Sequence, residues 1–286
     1  MLAVVGTIPN PDFPLATGEV TLKGEHIYVE GHPAPVNRGT PALMAAAIKC
    51  LEVLGQPMPY GYLAGDIGLG DGSRRLYDHL VRHLPQSEFS TLTFHYLQPD
   101  VDWHNKVLFA MGQMRRRPIL IADAGFMYAA KMSGLAADYD LFTPDAGELA
   151  FLADEEAPHP FYTRGFILHE DHNIPELIRR AYEHRNAARR LLVKGRIDYI
   201  ARTEGVVATI DSPSEEAMEP IGGTGDTLTG ILSALVCSGF DVDRAALLAA
   251  RTNRIAGRLV SPTPMTQVAE IIARIPEALG QALEKS

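Results

Sequence analysis

Short apolar segments alternate along this chain with segments whose apolar residues recur at helical spacing. Pro118–Asp123 and Leu141–Thr143 are typical of strands that a parallel sheet buries on both faces. The helical spacing is clearest after residue 224, where four apolar residues fall at i, i+3, i+4 and i+7: Leu228, Ile231, Leu232 and Leu235. This alternation continues through residues 1–286 without a repeat or linker, and it predicts one α/β domain of three α/β/α layers with a largely parallel central sheet.

The first 35 residues have a different pattern. They contain strand-like runs at Leu2–Gly6, Glu19–Leu22 and His26–Val29, separated by prolines and glycines. We predict a small N-terminal β segment over residues 1–35, which forms either a flap over a substrate or an edge of the sheet. A helix should follow, with Thr40 as its N-cap and Pro41 in its first turn.

Composition limits the partners. The net charge of −9, from 35 acidic and 26 basic residues, argues against nucleic acid or an anionic membrane as a partner. The N-terminus lacks a signal-peptide pattern and no apolar run could span a bilayer, so we expect a cytoplasmic protein with Cys50 and Cys237 as free thiols. A homo-oligomer is compatible with this composition. The ten histidines match no metal-ligand spacing, and we expect them to be structural or solvated.

The segment Glu219–Leu228 is rich in glycine and leads directly into the helix described above. Glycines let a backbone approach an anion closely, and the first N–H groups of a helix point toward it. Asp226 then has two interpretations, as an ordinary helix-capping residue or as a carboxylate that deprotonates a substrate hydroxyl beside a bound phosphate.

Other polar residues follow predicted strands. Asp123 ends one apolar run, and Asp145 and Glu148 follow another. Ligand residues of parallel sheets lie at these carboxyl ends, although Glu148 is also typical of the acidic first turn of a helix. A second glycine-rich turn, Gly65–Ser73, matches neither the P-loop nor the dinucleotide-binding pattern.

The order of these motifs resembles the ribokinase-like superfamily, and within it the ATP- or ADP-dependent NAD(P)H-hydrate dehydratases, also called carbohydrate kinase domains. Gly222–Ile231 is similar to the family segment GGTGDVLAGI, and Thr143–Leu149 is similar to TPHPGEL. Weaker similarities link four further segments to the family: Val193–Gly195, Ala122–Ala124, Ile67–Gly70 and Arg38–Thr40.

This resemblance implies a ribokinase-like fold, a small-molecule substrate, ATP or ADP as nucleotide, and Mg²⁺. It implies that Asp226 is the catalytic base and that Glu148 and Asp145 organise the metal. The residues implied to contact the nucleotide are Gly222, Gly223, Thr224, Gly225, Lys194 and Gly195, and those implied on the substrate side are Asp123, Arg38 and Gly68. Asn253, on the next helix, faces either the adenine pocket or solvent.

Three functions remain open at this point. The glycine segment and Thr143–Leu149 favour a dehydratase that phosphorylates a substrate hydroxyl in order to expel it. The N-terminal β segment favours a kinase for a small sugar, alcohol or vitamin precursor. The isoleucine at position 67 and the aspartate at position 145, which replace a proline and a histidine of the family segments, favour a nucleotide-binding homologue without activity.

Overall fold

A computed structural model describes residues 1–157 and 173–284 of the chain. The irregular segment of residues 154–175, which the sequence suggests as a solvated connection or lid, lies mostly outside the described residues. His159, His169 and His172 also lie outside them.

One sheet runs through the described molecule, with the strand order β11-β10-β9-β8-β7-β6-β1-β5-β2-β3-β4. Its strands are β1 (Leu2–Ile8), β2 (Ala16–Lys23), β3 (His26–Val29), β4 (His32–Pro35), β5 (Tyr60–Gly65), β6 (Thr91–His95), β7 (Ile119–Ala122), β8 (Leu141–Phe142), β9 (Leu191–Val193), β10 (Asp198–Arg202) and β11 (Gly205–Ile210). Strands β5, β1, β6, β7, β8 and β9 are mutually parallel, and antiparallel strands extend the sheet on both sides. The prediction of a largely parallel sheet is therefore confirmed.

Helices cover both faces of this sheet. They are α1 (Gly39–Val53), α2 (Asp71–His83), α3 (Val101–Gly112), α4 (Ala124–Met132), α5 (Ala146–Ala153), α6 (Ile174–Glu183), α7 (Thr224–Cys237), α8 (Val242–Val260), α9 (Val268–Ala273) and α10 (Ile275–Glu284). Two apolar cores result, one beneath α1 and α7–α10 and the other beneath α2–α6. The three-layer α/β/α arrangement is confirmed.

The N-terminal β segment divides into two parts. β1 lies in the middle of the sheet between β5 and β6, a position that neither a flap nor an edge describes. β2–β4 form an antiparallel edge beside β5, as the second of the two alternatives predicts. Burial explains the difference, because Leu2 to Val5 are all fully buried and leave β1 no solvent-facing side.

The start of α1 also differs from its prediction. The helix begins at Gly39, with Arg38 as an extended N-cap whose side chain makes no cap hydrogen bond. Thr40 is fully buried and its hydroxyl lies 3.0 Å from His95 Nδ1 on β6. A tertiary hydrogen bond has thus replaced the local cap that the sequence predicts.

Helices α1 and α7 pack closely at one glycine. A Cβ atom on Gly230 would lie 2.2 Å from the carbonyl oxygen of Leu43, so a larger residue would separate the two helices. This contact brings the first turn of α1 beside the first turn of α7. Among the described residues, no helix is both long and apolar enough to cross a membrane.

Candidate active site

The carboxyl ends of the parallel strands meet at one edge of the sheet, and the first turn of α7 reaches the same edge. His95 ends β6, Asp123 follows β7, and Lys194 follows β9. Open α/β sheets bind their ligands at this edge. The fold thus brings together side chains that lie far apart in the sequence.

The glycine turn before α7 depends on Gly223, whose φ of 99° is unfavourable for residues with a Cβ atom. A Cβ there would also lie 3.1 Å from the Val268 side chain and 3.2 Å from Arg38 Cα. With Gly223 as N-cap, the N–H groups of the next residues have no carbonyl partner one turn earlier in α7. The turn is therefore shaped to receive an anion.

Two cationic side chains border this helix start. Lys194 Nζ lies 3.7 Å from the position that a Cβ on Gly225 would occupy. On the other side, the exposed Arg38 lies over the turn, with its Cβ and Cδ 3.9 Å from the equivalent position on Gly222. Free helix N–H groups between a lysine and an arginine are suited to phosphate oxygens.

Asp226 stands in the first turn of α7 with two hydrogen bonds to its carboxylate. Gly39 N–H donates to Oδ2 over 2.6 Å, and His95 Nε2 lies 3.0 Å from Oδ1. The carboxylate thus lies at the N-termini of both α7 and α1, where helix dipoles favour negative charge. Burial acts to raise the pKa of Asp226, but the His95 hydrogen bond, the Lys194 charge and the Gly39 N–H outweigh it, so this pKa lies below its usual value.

Asp123 is almost fully buried and anchors the lysine. Lys194 Nζ donates to both of its oxygens over 2.9 Å, and Thr229 Oγ1 donates to Oδ2 over 2.7 Å. Burial acts to lower the pKa of Lys194, but the charges of Asp123 and Glu148 raise it well above its usual value. Lys194 is therefore a fixed positive charge. A direct contact of Asp123 with substrate stays a prediction.

His95, Asp123 and Asp226 present ligand atoms within 4.8 Å of one another, a spacing that a metal ion could bridge. The ammonium group of Lys194 already lies on both oxygens of Asp123, however, and Asp226 is bonded to His95 and Gly39. We assign no metal to this cluster.

Asp145 and Glu148 form a capping box at the start of α5. Glu148 N–H donates to Asp145 Oδ1 and Asp145 N–H donates to Glu148 Oε2, both over 2.8 Å. The expected helix-cap geometry is present, and each carboxylate keeps a second oxygen outside it, although Glu148 Oε1 accepts a hydrogen bond from the Tyr128 hydroxyl over 3.4 Å. Burial and then the charge of Asp145 raise the pKa of Glu148 to about 8. An added cation would relieve this repulsion, and paired oxygen donors suit Mg²⁺.

Of the other predicted site residues, Gly195 and Gly68 are exposed and Asn253 is buried. Gly195 donates its N–H to Asp198 Oδ1 over 3.1 Å in an exposed turn. Gly68 is exposed in the loop after β5, two strands from β6. Asn253 is buried rather than solvent-facing, and it holds the first turn of α7 through Thr227 Oγ1 and the Thr224 carbonyl. A contact of the Asn253 side chain with nucleotide stays a prediction.

Two site residues were missed by the sequence analysis. The sequence gives His95 no role beyond that of a structural or solvated histidine, and it assigns no role to Tyr96. Tyr96 is 50% exposed, has a φ of 46°, and places its ring 3.7 Å from the position of a Cβ on Gly39. A polar residue ending an apolar strand was the available signal, since the same rule identified Asp123.

A family model and a relative of known sequence each match more than half of this chain. Residues 99–277 match a family model described as NAD(P)H-hydrate dehydratase. An uncharacterized protein of Methanocaldococcus jannaschii, MJ1337, is 40% identical over 243 residues, which cover 85% of this chain and 100% of the relative.

Solved structures of other proteins share the fold. A ribokinase-like superfamily protein of Enterococcus faecalis has a TM-score of 0.59 and 14% identity, over 98% of this chain and 87% of the other. The ADP/ATP-dependent NAD(P)H-hydrate dehydratase of Bacillus subtilis, co-crystallized with ATP and Mg²⁺, has a TM-score of 0.57 and 15% identity, over 99% of this chain and 89% of the other.

Proposed function

The chain belongs to the NAD(P)H-hydrate dehydratase family, and from this premise we propose that it uses ATP or ADP to dehydrate hydrated NAD(P)H. The observation that carries the proposal is the buried, ionised Asp226 at the N-termini of two helices, beside a glycine turn bordered by Lys194 and Arg38. A base next to an anion-binding turn is the arrangement that phosphoryl transfer to a hydroxyl requires.

In the first step, Asp226 takes the proton of the substrate hydroxyl as its oxygen attacks the terminal phosphorus of the nucleotide. A new O–P bond forms, and the bond from that phosphorus to the bridging oxygen breaks. The N–H groups of residues 223–225 and the charges of Lys194 and Arg38 stabilise the negative charge on the phosphoryl oxygens.

In the second step, the phosphate leaves as an anion. The lone pair of the ring nitrogen expels it by breaking the C–O bond, and the neighbouring ring carbon gives up a proton to the released phosphate, which restores the reduced nicotinamide. Asp226 returns its own proton to solvent. The products are NAD(P)H, inorganic phosphate and the shortened nucleotide. Phosphorylation therefore converts a poor leaving group into a good one.

Asp145 and Glu148 are our candidates for holding Mg²⁺, since each has a carboxylate oxygen outside the capping box. When bound, the ion would neutralise part of the charge on the phosphate oxygens. Tyr96 and Arg38 are candidates for the substrate side, because both are exposed beside Gly39 and the glycine turn.

The test uses hydrated NADH with Mg²⁺ and either ATP or ADP, and follows the return of the reduced-nicotinamide absorbance. We expect nucleotide-dependent recovery in the native protein and a loss of about 10²-fold or more in Asp226→Asn, which keeps the size of the side chain and removes the base. Asp102→Asn, an exposed aspartate on α3, is the matched control and should keep full activity. A native protein that restores no absorbance with either nucleotide would contradict the proposal.

A kinase for a small alcohol or sugar is the second candidate. The antiparallel strands β2–β4, which extend the sheet beyond β5, favour it because an N-terminal β segment is the feature that points to a kinase in the sequence. The two functions use the same base but differ in product, since only the kinase would release a lasting phosphoester.

A further inference from the structure

A line of hydrogen bonds crosses the site behind Asp226. Thr40 Oγ1 lies 3.0 Å from His95 Nδ1, and His95 Nε2 lies 3.0 Å from Asp226 Oδ1. The three residues come from α1, β6 and α7, and the imidazole is fully buried between its partners. None of these contacts is local in sequence, so the whole fold is needed to form them.

The chemistry of the partners fixes the proton on one ring nitrogen. An ionised carboxylate only accepts hydrogen bonds, so His95 Nε2 must carry the proton that it shares with Asp226. The hydroxyl of Thr40 can donate to Nδ1 or accept from it, and it therefore satisfies that nitrogen in either charge state of the ring. A buried imidazole with both nitrogens bonded has a single favoured orientation.

Strand β1 packs closely against Thr40 and the backbone of His95. A Cβ on Gly6, in the neighbouring strand β1, would lie 2.4 Å from Thr40 Oγ1 and 2.7 Å from the His95 carbonyl oxygen. Gly6 thus provides the space in which Thr40 approaches the ring. We propose that His95 is a positioning residue that holds the Asp226 carboxylate toward the substrate hydroxyl, an inference that rests on the proposed function.

The charges around Asp226 support this role. His95 faces it from β6, and Lys194 faces it from the end of β9. Asp123 Oδ2 lies 3.9 Å from His95 Nε2. Burial raises the pKa of the Tyr96 phenol, and the negative charges of Asp226 and Asp123 raise it further. The His95 hydrogen bond lowers the pKa of Asp226 against the effect of burial. Loss of the bond should raise this pKa and shift the acidic limb of the activity profile to higher pH.

The experiment compares His95→Leu, which removes both hydrogen bonds, with His95→Gln, whose amide can still donate to Asp226. For His95→Leu we expect kcat to fall about 10²-fold, since a misplaced catalytic group costs about this much, while KM for the nucleotide stays near the native value. His95→Gln should restore part of the loss. If His95 only supported the fold, His95→Gln would not restore kcat, and His95→Leu would not shift the acidic limb of the activity profile.

His104→Leu is the matched control. His104 is also fully buried and bonded at both ring nitrogens, to Tyr139 and Ser133, but it lies outside the site. This variant should lose stability without changing kcat. If His95→Leu does not fold, Thr40→Val replaces it, with a smaller fall in kcat expected from the loosened ring.

A substrate-free measurement separates this inference from the proposed function. The pKa of Asp226 can be followed by ¹³C NMR of the labelled carboxyl groups, assigned with Asp226→Asn. A higher pKa in His95→Leu or Thr40→Val supports the inference even if the native protein restores no hydrated NADH, a result that would overturn the proposed function alone. An unchanged pKa of Asp226 in both variants would overturn the inference.

Discussion

Asp226 and Lys194 belong to two linked charge clusters, and each depends on residues that the sequence places far away. Asp226 is held by Gly39 and His95, and Lys194 by Asp123. Motif similarity alone singled out both candidate residues, because Gly222–Ile231 and Val193–Gly195 are local segments. The partners of Asp226 could not be predicted in this way, since a hydrogen bond between β6 and α7 depends on strand order.

The buried pair of Lys194 and Asp123 leads to a prediction about stability. Lys194→Met leaves the Asp123 carboxylate buried without its main partner, which should reduce the free energy of unfolding by about 3–5 kcal/mol. The double variant Asp123→Asn, Lys194→Met removes both charges and should recover much of this loss. Urea unfolding monitored by circular dichroism measures the difference.

The surface pair of Lys49 and Glu52 provides the control for this prediction. Their side chains are 30% and 43% exposed, and Lys49→Met should change the free energy of unfolding by less than about 1 kcal/mol. Equal effects of Lys49→Met and Lys194→Met would contradict the role given to the buried pair.

At the scale of elements, the glycine turn and α7 were the most predictable part of the molecule. The apolar spacing from Leu228 to Leu235 and the glycines before it identified a helix that begins at a turn, and α7 begins at Thr224. The start of α1 was less predictable. Threonine is a common N-cap residue, but the hydroxyl of Thr40 is hydrogen-bonded to His95 instead. The N–H of Gly39 donates to Asp226 of α7.

Gly223→Ala tests the turn as an element. The left-handed φ and the close Val268 and Arg38 atoms should make this change cost about 1–3 kcal/mol and weaken nucleotide binding. Thermal unfolding and nucleotide titration of the same samples measure the two effects.

Gly280→Ala is the comparison for this change. Gly280 lies inside α10, and a Cβ there would have no neighbour within 4 Å. This variant should stabilise the protein by about 0.5–1 kcal/mol and leave nucleotide binding unchanged. If both alanine variants had the same stability and affinity, the turn would not need the geometry described for Gly223.

At the scale of the whole molecule, the class of fold followed from the alternation of strands and helices, but the place of β1 did not. A short apolar run near an N-terminus is compatible with a sheet edge or a sheet centre, and only its pairing with β5 and β6 distinguishes them. That pairing matters for the site, because β1 separates the loop that contains Gly68 from β6 and His95.

The central claim is that phosphorylation of the substrate hydroxyl, with Asp226 as base, leads to elimination rather than to a lasting phosphorylated product. It is tested most directly by ³¹P NMR and reduced-nicotinamide absorbance on one reaction of native protein, hydrated NADH, Mg²⁺ and ATP or ADP. We predict that inorganic phosphate appears in step with NADH, with one phosphate for each NADH restored. A lasting phosphoester signal, or NADH restored without consumption of nucleotide, would contradict the claim.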